Sequence, residues 1–182
     1  MQLAVHELRP EDVASLVQYW SDADPAYLRG MGANPDLMPP AEVFFQNLHR
    51  QIGQPYPETA AYALIWTIDG IPSGHSHMNK IQFGVEGFMH LHLWPQGQRR
   101  QGMGTKLVRK SLPFYFQNFE LQTLFCEPYA LNPAPHRVLE KLGFEFVREY
   151  ITIPGSINFE QPVKRWMMTR NRFEELYGSI LS

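Results

Sequence analysis

The sequence is poor in cysteine, in surplus charge of either sign and in long apolar runs, and each shortage excludes a class of protein. Cys126 is the only cysteine among 182 residues, which excludes an internal disulfide and indicates a reducing compartment. The net charge of −2 argues against a nucleic-acid-binding protein, because such proteins usually carry a strong basic excess. No stretch approaches about 18 consecutive apolar residues, so we expect no membrane span. The polar first dozen residues also lack the apolar core of a signal peptide, so we expect a cytoplasmic protein.

The composition is typical of one globular domain. Apolar residues make up 44% and charged residues 19% of the chain, which suits a folded protein rather than a disordered one. A chain of this length can bury a full core, and no linker, repeat or low-complexity segment divides it. We therefore expect a single domain over residues 1–182.

Hydrophobic periodicity predicts strands and helices in the order βαα–βββ–αβ–αβ–β, an α/β arrangement. Strand-like alternation is found at 3–8, 62–68, 71–78, 85–93, 121–126, 144–153 and 163–169. Helical spacing is found at 13–20, 41–52, 102–116 and 133–142, with a further short helix around 26–29. Pro113 should bend or shorten the third of these helices, because proline lacks the amide hydrogen that helices use.

A glycine-rich turn with the sequence RRQGMG, Arg99–Gly104, separates the strand at 85–93 from the next helix. Its two glycines let the backbone turn tightly, so that successive N–H groups point into one concavity. The helix N-terminus behind the turn adds a positive dipole, which suits a pyrophosphate. The same glycines also fit a plain strand-to-helix turn with a solvated basic face, so this motif alone leaves both interpretations open.

A second motif with the sequence NPAPHRVLEKLGF, Asn132–Phe144, follows after one strand. Together the two segments resemble the GNAT superfamily of acetyltransferases, whose motifs are R/Q-x-x-G-x-G/A and N-x6-Y-E-K-L-G-F. The first motif is matched by Arg99, Gly102 and Gly104, and the second by Asn132 and residues 140–144. The second motif is most similar to that of the ribosomal-protein N-terminal acetyltransferase branch.

The resemblance implies the GNAT fold, a twisted, mixed but mostly antiparallel sheet of six to seven strands flanked by about four helices. It also implies acetyl-CoA as cosubstrate and no metal. The pantetheine arm would bind the strand end at Leu91 and Leu93 and contact Asn132, the pyrophosphate would bind the glycine-rich turn, and a backbone N–H near Leu93 would stabilise the oxyanion. The complete set of cofactor-binding residues that it implies is Leu91, Leu93, Arg99, Arg100, Gln101, Gly102, Met103, Gly104, Thr105, Asn132, Arg137 and Lys141.

One position departs from the family pattern. Many members carry a tyrosine that protonates the leaving thiolate, and this chain has Leu139 at that position. Leucine cannot donate a proton. Tyr129 and a water molecule are the candidates for that role, and the alternative is that the thiolate leaves without a dedicated acid.

Three side chains on one face of the strand at 85–93 are candidates for the catalytic base. A primary amine with a pKa of about 10 is mostly protonated at neutral pH and must lose a proton before it attacks. Histidine ordinarily titrates near neutrality, so we predict that His90 or His92 is the base, directly or through water, with Glu86 further along the same face. The alternative is that these are ordinary sheet residues with satisfied hydrogen bonds.

Two other functions compete with acetyl transfer. The pairs His75-x-His77 and His90-x-His92 could bind a metal, and residues 84–92 resemble the first half of a cupin motif. The glutamate that a cupin needs next is absent, because Pro95-Gln96-Gly97 occupies that stretch. The departure at Leu139 would also fit a non-catalytic acyl-CoA sensor.

The sequence therefore predicts an acetyl-CoA-dependent N-acetyltransferase in which an amine attacks the thioester directly. Its expected partners are acetyl-CoA and an amine acceptor, either a small molecule or a protein N-terminus, without nucleic acid or membrane; a homodimer is left open. Residues 22–58, 79–86 and 154–162 are expected to line the acceptor pocket, and none of them carries an interpretable pattern.

Overall fold

The computed structural model describes residues 1–94 and 102–178, and within them seven strands form one mixed sheet. The strand order is β1-β2-β3-β4-β5-β7-β6. Only β4 and β5 are parallel among the described neighbours. The strands are β1 (Leu3–Glu7), β2 (Tyr62–Ile68), β3 (Ile71–Gln82), β4 (Glu86–Leu93), β5 (Thr123–Cys126), β6 (Glu145–Thr152) and β7 (Gln161–Thr169).

Six α-helices within the described residues cover the sheet, and none is both long and apolar enough to cross a membrane. They are α1 (Val13–Ser21), α2 (Pro25–Gly30), α3 (Ala41–Gln51), α4 (Met103–Asn118), α5 (Pro133–Lys141) and α6 (Arg170–Tyr177).

The strand β2 separates two hydrophobic cores, because successive side chains of a strand point to opposite faces. Leu64 and Trp66 belong to the core that contains α4, and the Trp66 indole N–H donates to Ser111 Oγ on that helix at 2.9 Å. Ala63 and Ile65 face the second core, built with α1 and α3. The site described below lies on this second side.

The predicted α/β fold and the seven predicted strands are confirmed, with three differences. The helix α6 was not predicted; Thr169 caps it by accepting from the Arg172 N–H at 3.2 Å. The strand β3 continues beyond residue 78 to Gln82. The helix α4 runs through Pro113 to Asn118 instead of being shortened.

Candidate active site

A wedge opens in the sheet where β4 and β5 stop pairing. The last paired residues are Met89 and Cys126. Beyond them β4 continues to Leu93 against β3, whereas the chain after β5 bonds toward β7, with the Ala130 N–H donating to Pro162 O at 2.8 Å. The two parallel strands therefore diverge and leave a gap between the end of β4 and residues 127–130.

The end of β4 turns two peptide groups toward this wedge. The Trp94 N–H donates to Ser73 O on β3 at 2.9 Å, and in an antiparallel pair the hydrogen-bonded residues alternate. His92 and His90 therefore bond to β3 through their main chain. Leu91 and Leu93 direct their N–H and C=O groups to the other edge, toward the wedge. This is the placement that the family resemblance implies for the two leucines.

A cavity of about 420 Å³ occupies the wedge and extends across β3 and β4 beneath α1 and α3. One of its walls is apolar, and this apolar wall consists of Leu16, Trp20, Met31, Met38, Phe44, Leu48 and Ile157. Most of the polar side chains in the lining are amides and imidazoles. The amides are Asn47, Gln51, Asn79, Asn132, Asn158 and Gln161.

Four histidines from two adjacent strands form the floor of the cavity. In the register of β3 and β4, His75 lies opposite His92 and His77 lies opposite His90. The His75 and His92 rings are stacked with centroids 4.7 Å apart, and the His77 and His90 rings are stacked at 4.5 Å. We call these residues the histidine cluster.

Three of the four histidines in the cluster contact neighbouring polar side chains, and these contacts indicate which ring nitrogens carry protons. The Trp94 indole N–H, which can only donate, is 2.8 Å from His75 Nδ1. That nitrogen must therefore be unprotonated, and the His75 proton resides on Nε2. His90 Nε2 lies 3.1 Å from Asn79 Oδ1, which accepts. Tyr19 Oη lies 3.4 Å from His92 Nδ1.

The cluster is held in its neutral form. Burial lowers the pKa of His75 and of His77 well below the ordinary 6.5, with a smaller contribution from neighbouring histidines. Burial likewise lowers the pKa of His90 and of His92 to about 3. The expectation that these histidines titrate near neutrality is therefore wrong, because desolvation disfavours the charged imidazolium.

The geometry of the cluster suits neutral imidazoles better than metal ligands. Ligand atoms of His75, His77 and His92 lie within 4.8 Å of one another. However, the His77 and His92 rings are stacked and their planes differ by only 6°, so their in-plane lone pairs lie in two nearly parallel planes. Sharing a tetrahedral zinc ion, with nitrogens about 2.0–2.1 Å from the metal, would require the stacked rings to rotate.

The first turn of α4 combines a left-handed glycine with free space. Gly102, at the N-cap, has φ 71° and ψ 8°, a conformation that glycine adopts without strain. Among the described residues outside the helix itself, the atom nearest to a Cβ added at Gly104 is Val138 Cγ2 of α5, at 3.9 Å. The main-chain N–H groups of a first helical turn have no intrahelical acceptor, so they are available to an anion. The side chain of Met103 is buried in the core and can contribute only its N–H.

The remaining cofactor-binding predictions fall into three groups. Asn132 lines the cavity and also caps α5, accepting from the Ala134 N–H at 3.4 Å. Arg137 and Lys141 are exposed on α5. The predictions for Arg99, Arg100 and Gln101 lie outside the described residues.

The two candidate acids for the thiolate have different surroundings. Leu139 is fully buried in the core with α4, so no proton donor stands at the family position. Tyr129 lines the cavity beside the wedge, and its ring packs edge-on against Phe159 with centroids 5.8 Å apart.

Glu86 does not join the histidines. It stands at the first residue of β4, and the side chain of Phe88 lies on the same strand face between it and His90. Glu86 is not among the residues that line the cavity. The segment 79–86, where β3 turns into β4, likewise contributes only Asn79 to the lining. This turn lies instead beside the far end of α4, where the Gly84 N–H donates to Phe119 O at 2.9 Å.

Several site residues were not predicted as such. His75 and His77 were considered only as metal ligands, although their alternation with His90-x-His92 was a signal that two strands could share one polar face. Glu127 carried no recognisable pattern. It lines the cavity, and its Oε1 accepts from Arg165 Nε at 2.5 Å and from the Tyr150 hydroxyl.

Comparison with known proteins identifies the class. The family model described as an acetyltransferase (GNAT) domain matches residues 2–145, more than half of the chain. The chain therefore belongs to the GNAT acetyltransferase family. A comparison with curated protein sequences finds no match.

Solved structures of acetyltransferases share the fold at low sequence identity. One is RimL, a ribosomal L7/L12 α-N-protein acetyltransferase in complex with coenzyme A, with a TM-score of 0.76 and 13% identity over 94% of this chain and 96% of that one. Another is the aminoglycoside acetyltransferase AAC(6')-Ib with coenzyme A, with a TM-score of 0.72 and 20% identity over 96% and 98%. A third is the spermidine N-acetyltransferase of Vibrio cholerae with CoA and spermine, with a TM-score of 0.76 and 15% identity over 94% and 98%.

Proposed function

We propose that this acetyltransferase uses acetyl-CoA and transfers the acetyl group to an amine that attacks the thioester directly. The observation that carries the proposal is the wedge between β4 and β5. It adjoins the histidine-lined cavity on one side and α5 on the other, and α5 in turn packs against the first turn of α4 through Val138. A thioester in the wedge would thus have a phosphate-binding turn behind it and an acceptor cavity in front.

The main chain would supply most of the cofactor contacts. The peptide groups of Leu91 and Leu93 would bind the pantetheine arm, and the first N–H groups of α4 would bind the pyrophosphate. Basic side chains around this turn would pair with the negative charge of the phosphates. Besides Leu91 and Leu93, the residues that we propose contact the cofactor are Arg99, Arg100, Gln101, Gly102, Met103, Gly104, Thr105, Asn132, Arg137 and Lys141.

The chemistry would rest on positioning. An N–H near Leu93 would stabilise the oxyanion that forms when the amine attacks, and the cavity would hold the amine against the thioester carbon. His92 and His90 would accept a hydrogen bond from the nitrogen of a neutral amine, and the proton that this nitrogen loses after its attack would leave through one of them or through water. The departing thiolate would take a proton from Tyr129 or from water.

The base assignment is tested with three variants. His90→Gln and His92→Gln should be compared on an aliphatic amine and on an aromatic amine that is already neutral, together with Glu86→Gln, whose side chain is outside the cavity lining. Loss of a base should lower kcat/KM for the aliphatic amine by roughly 10²-fold or more and spare the aromatic amine. An equal loss on both acceptors would indicate lost positioning, and unchanged rates in all three variants would show that none of them is the base.

The cofactor assignment is tested by thermal unfolding. A ligand that binds only the native state stabilises it by RT ln(1 + [L]/Kd), so acetyl-CoA should raise Tm. An acceptor screen with detection of free thiol then separates an enzyme from a non-catalytic acyl-CoA sensor. The sensor is the alternative that Leu139, at the position of the family tyrosine, also fits. No change of Tm at millimolar acetyl-CoA would overturn the proposal. Binding without turnover on any amine would favour the sensor.

We further propose that residues 1–182 act as one domain in the cytoplasm and without a metal. Metal analysis of the purified protein tests the last point directly. A stoichiometric ion retained through purification would contradict it.

A further inference from the structure

We propose that the acceptor is a weakly basic nitrogen nucleophile on an apolar body, uncharged at neutral pH, such as an aromatic amine or a hydroxylamine. The inference rests on the proposed acetyl transfer and narrows the acceptor of that reaction. It follows from the charges and contacts of the cavity lining.

Among the described residues, the cavity lining offers an ammonium group no carboxylate that is not already paired. Among its lining residues in the described part of the chain, Glu127 is the single carboxylate. That carboxylate is almost fully buried and is held by Arg165 Nε at 2.5 Å and by the Tyr150 hydroxyl. A cation that leaves water needs a partner charge to offset its desolvation. A polycation would need several, and the amides of the lining supply none.

The histidine cluster cannot act as that partner either. Its four rings lie in two stacks at 4.5 and 4.7 Å, so each imidazolium would face another imidazole in a site where His75 is buried and the other three rings are partly buried. The groups packed around it are Tyr19 and Trp20 of α1, and the positive charge of Lys80 on β3 opposes protonation of His90. The neutral cluster therefore supplies no negative charge to pair with a positively charged acceptor.

The same cluster is a poor proton acceptor for a strongly basic amine. An alkylammonium has a pKa of about 10, and the pKa of His90 and His92 is lowered to about 3. The transfer would therefore be unfavourable by a factor on the order of 10⁷. A nitrogen that arrives neutral avoids this step. Its N–H can donate to a neutral imidazole, and its lone pair remains free for the thioester.

The opposite wall of the cavity suits an apolar body. Leu16, Trp20, Phe44 and Leu48 come from α1 and α3 and face the histidine floor. Burying a ring-sized apolar group against such a wall stabilises a complex by roughly 25 cal/mol per Å² of apolar surface removed from water. Binding energy thus comes from the body of the acceptor, and the floor orients its nitrogen.

The test uses pairs of acceptors that share one ring and differ by a single methylene: an aromatic amine, which is neutral at pH 7, and its benzylic homologue, which is charged. Release of CoA thiol is measured for both, and for spermine and kanamycin, between pH 6 and 10. At pH 7 the aromatic amine should exceed its homologue in kcat/KM by about tenfold or more. The advantage should shrink as the pH approaches the pKa of the benzylic amine.

A gain-of-charge variant gives an independent readout. Gln51→Glu places a carboxylate in the cavity lining, and it should raise the relative kcat/KM of the charged homologue at pH 7. Gln46→Glu, on the same helix but outside the lining, should leave the ratio of the two acceptors unchanged.

The outcomes separate this inference from the proposed function. Higher kcat/KM for spermine or kanamycin than for the neutral amines would overturn the acceptor class and leave the acetyltransferase standing. The acceptor class would also be overturned if acetyl-CoA raised Tm but no aromatic amine or hydroxylamine were acetylated. Absence of both the Tm shift and turnover would instead reject the acetyl-CoA function itself.

Discussion

At the scale of single residues, Gly102 and Gly104 are glycines for different reasons. Gly102 has φ 71°, and an L-residue there would cost about 1–2 kcal/mol. Gly104 lies in the helix with no positive φ, and among the described residues a Cβ there would make only an ordinary van der Waals contact, with Val138 Cγ2 at 3.9 Å. Of these two positions, only position 102 requires glycine for its backbone conformation.

The substitution Gly104→Ala separates stability from binding. Alanine in place of a helical glycine should raise the free energy of unfolding by roughly 0.4–1 kcal/mol, while its methyl group intrudes where the pyrophosphate should approach. We expect a higher Tm together with CoA affinity weakened by about tenfold or more, measured by calorimetry. Gly104→Val should weaken binding further. Unchanged affinity in both variants would mean that the glycine is only part of a turn.

A second residue-scale prediction concerns the charge state of His90. The amide of Asn79 accepts from His90 Nε2 at 3.1 Å, and Asn79→Asp replaces it with a carboxylate of nearly the same shape. An adjacent negative charge favours the imidazolium, so the pKa of His90 should rise from about 3 toward the neutral range. Titration of the imidazole resonances by NMR measures it, and Asn79→Ala, which adds no charge, is the control. A His90 that remains untitrated above pH 5 in Asn79→Asp would contradict the assignment of this hydrogen bond.

At the scale of elements, a chain of hydroxyl groups ties α4 to the end of β4. The Tyr115 hydroxyl lies 2.5 Å from Ser76 Oγ, and Ser76 Oγ donates to His90 O at 3.0 Å. Since the serine proton is used for His90, Tyr115 must be the donor to Ser76. The contact connects the α4 core to the strand that carries the histidine floor.

This chain of hydroxyl groups predicts that substitutions at its two ends lower the free energy of unfolding by different amounts. Ser76→Ala leaves the buried Tyr115 hydroxyl without a partner, which costs about 1–3 kcal/mol. Tyr115→Phe leaves the serine bonded to His90 O and should cost less. The double variant should be no less stable than Ser76→Ala alone, so urea unfolding of the four proteins should give a favourable coupling energy. Additive effects would show that the two hydroxyls do not depend on one another.

At the scale of the whole molecule, the neutral histidines link stability to pH. Their pKa values are lower in the folded protein than the ordinary 6.5, so the unfolded chain takes up more protons as the pH falls below about 6.5. Stability from this source is complete above that pH and is lost on acidification, toward the folded pKa of about 3 for His90 and His92. Each such histidine contributes a slope of up to about 1.4 kcal/mol per pH unit.

The pH dependence is measured by urea unfolding between pH 7.5 and 5.5, where few carboxyl groups titrate. We expect the free energy of unfolding to fall over this range. His75→Asn keeps an oxygen that can accept from the Trp94 indole and removes one titrating group, so the slope of its unfolding free energy against pH should be smaller by about half a proton on average over this range. Equal stability of the wild-type protein at both pH values would show that the cluster is not held neutral.

Local patterns decided most of the fold. The alternation of Tyr62–Ile68 and the Asp69-Gly70 turn specified the central hairpin, because the two turn residues adopt the positive φ values, 50° and 80°, that a tight hairpin uses. Helix α6 was missed because its apolar residues are few and its position depends on packing of Phe173 in the core. The extension of β3 was missed because its last residues are polar and are held by pairing with β4.

The sequence by itself determined the family and predicted the cofactor end of the site, since both motifs are contiguous and the chemistry they imply resides in the backbone and in helix ends. The tertiary structure decided the acceptor end. His75 and His92 are 17 positions apart in sequence, and only the β3–β4 register stacks them. Burial then sets their charge, and Arg165 pairs with Glu127, the one carboxylate among the described residues of the cavity lining. No local pattern contains these facts, because pKa values and free charges depend on neighbours that the fold alone brings together.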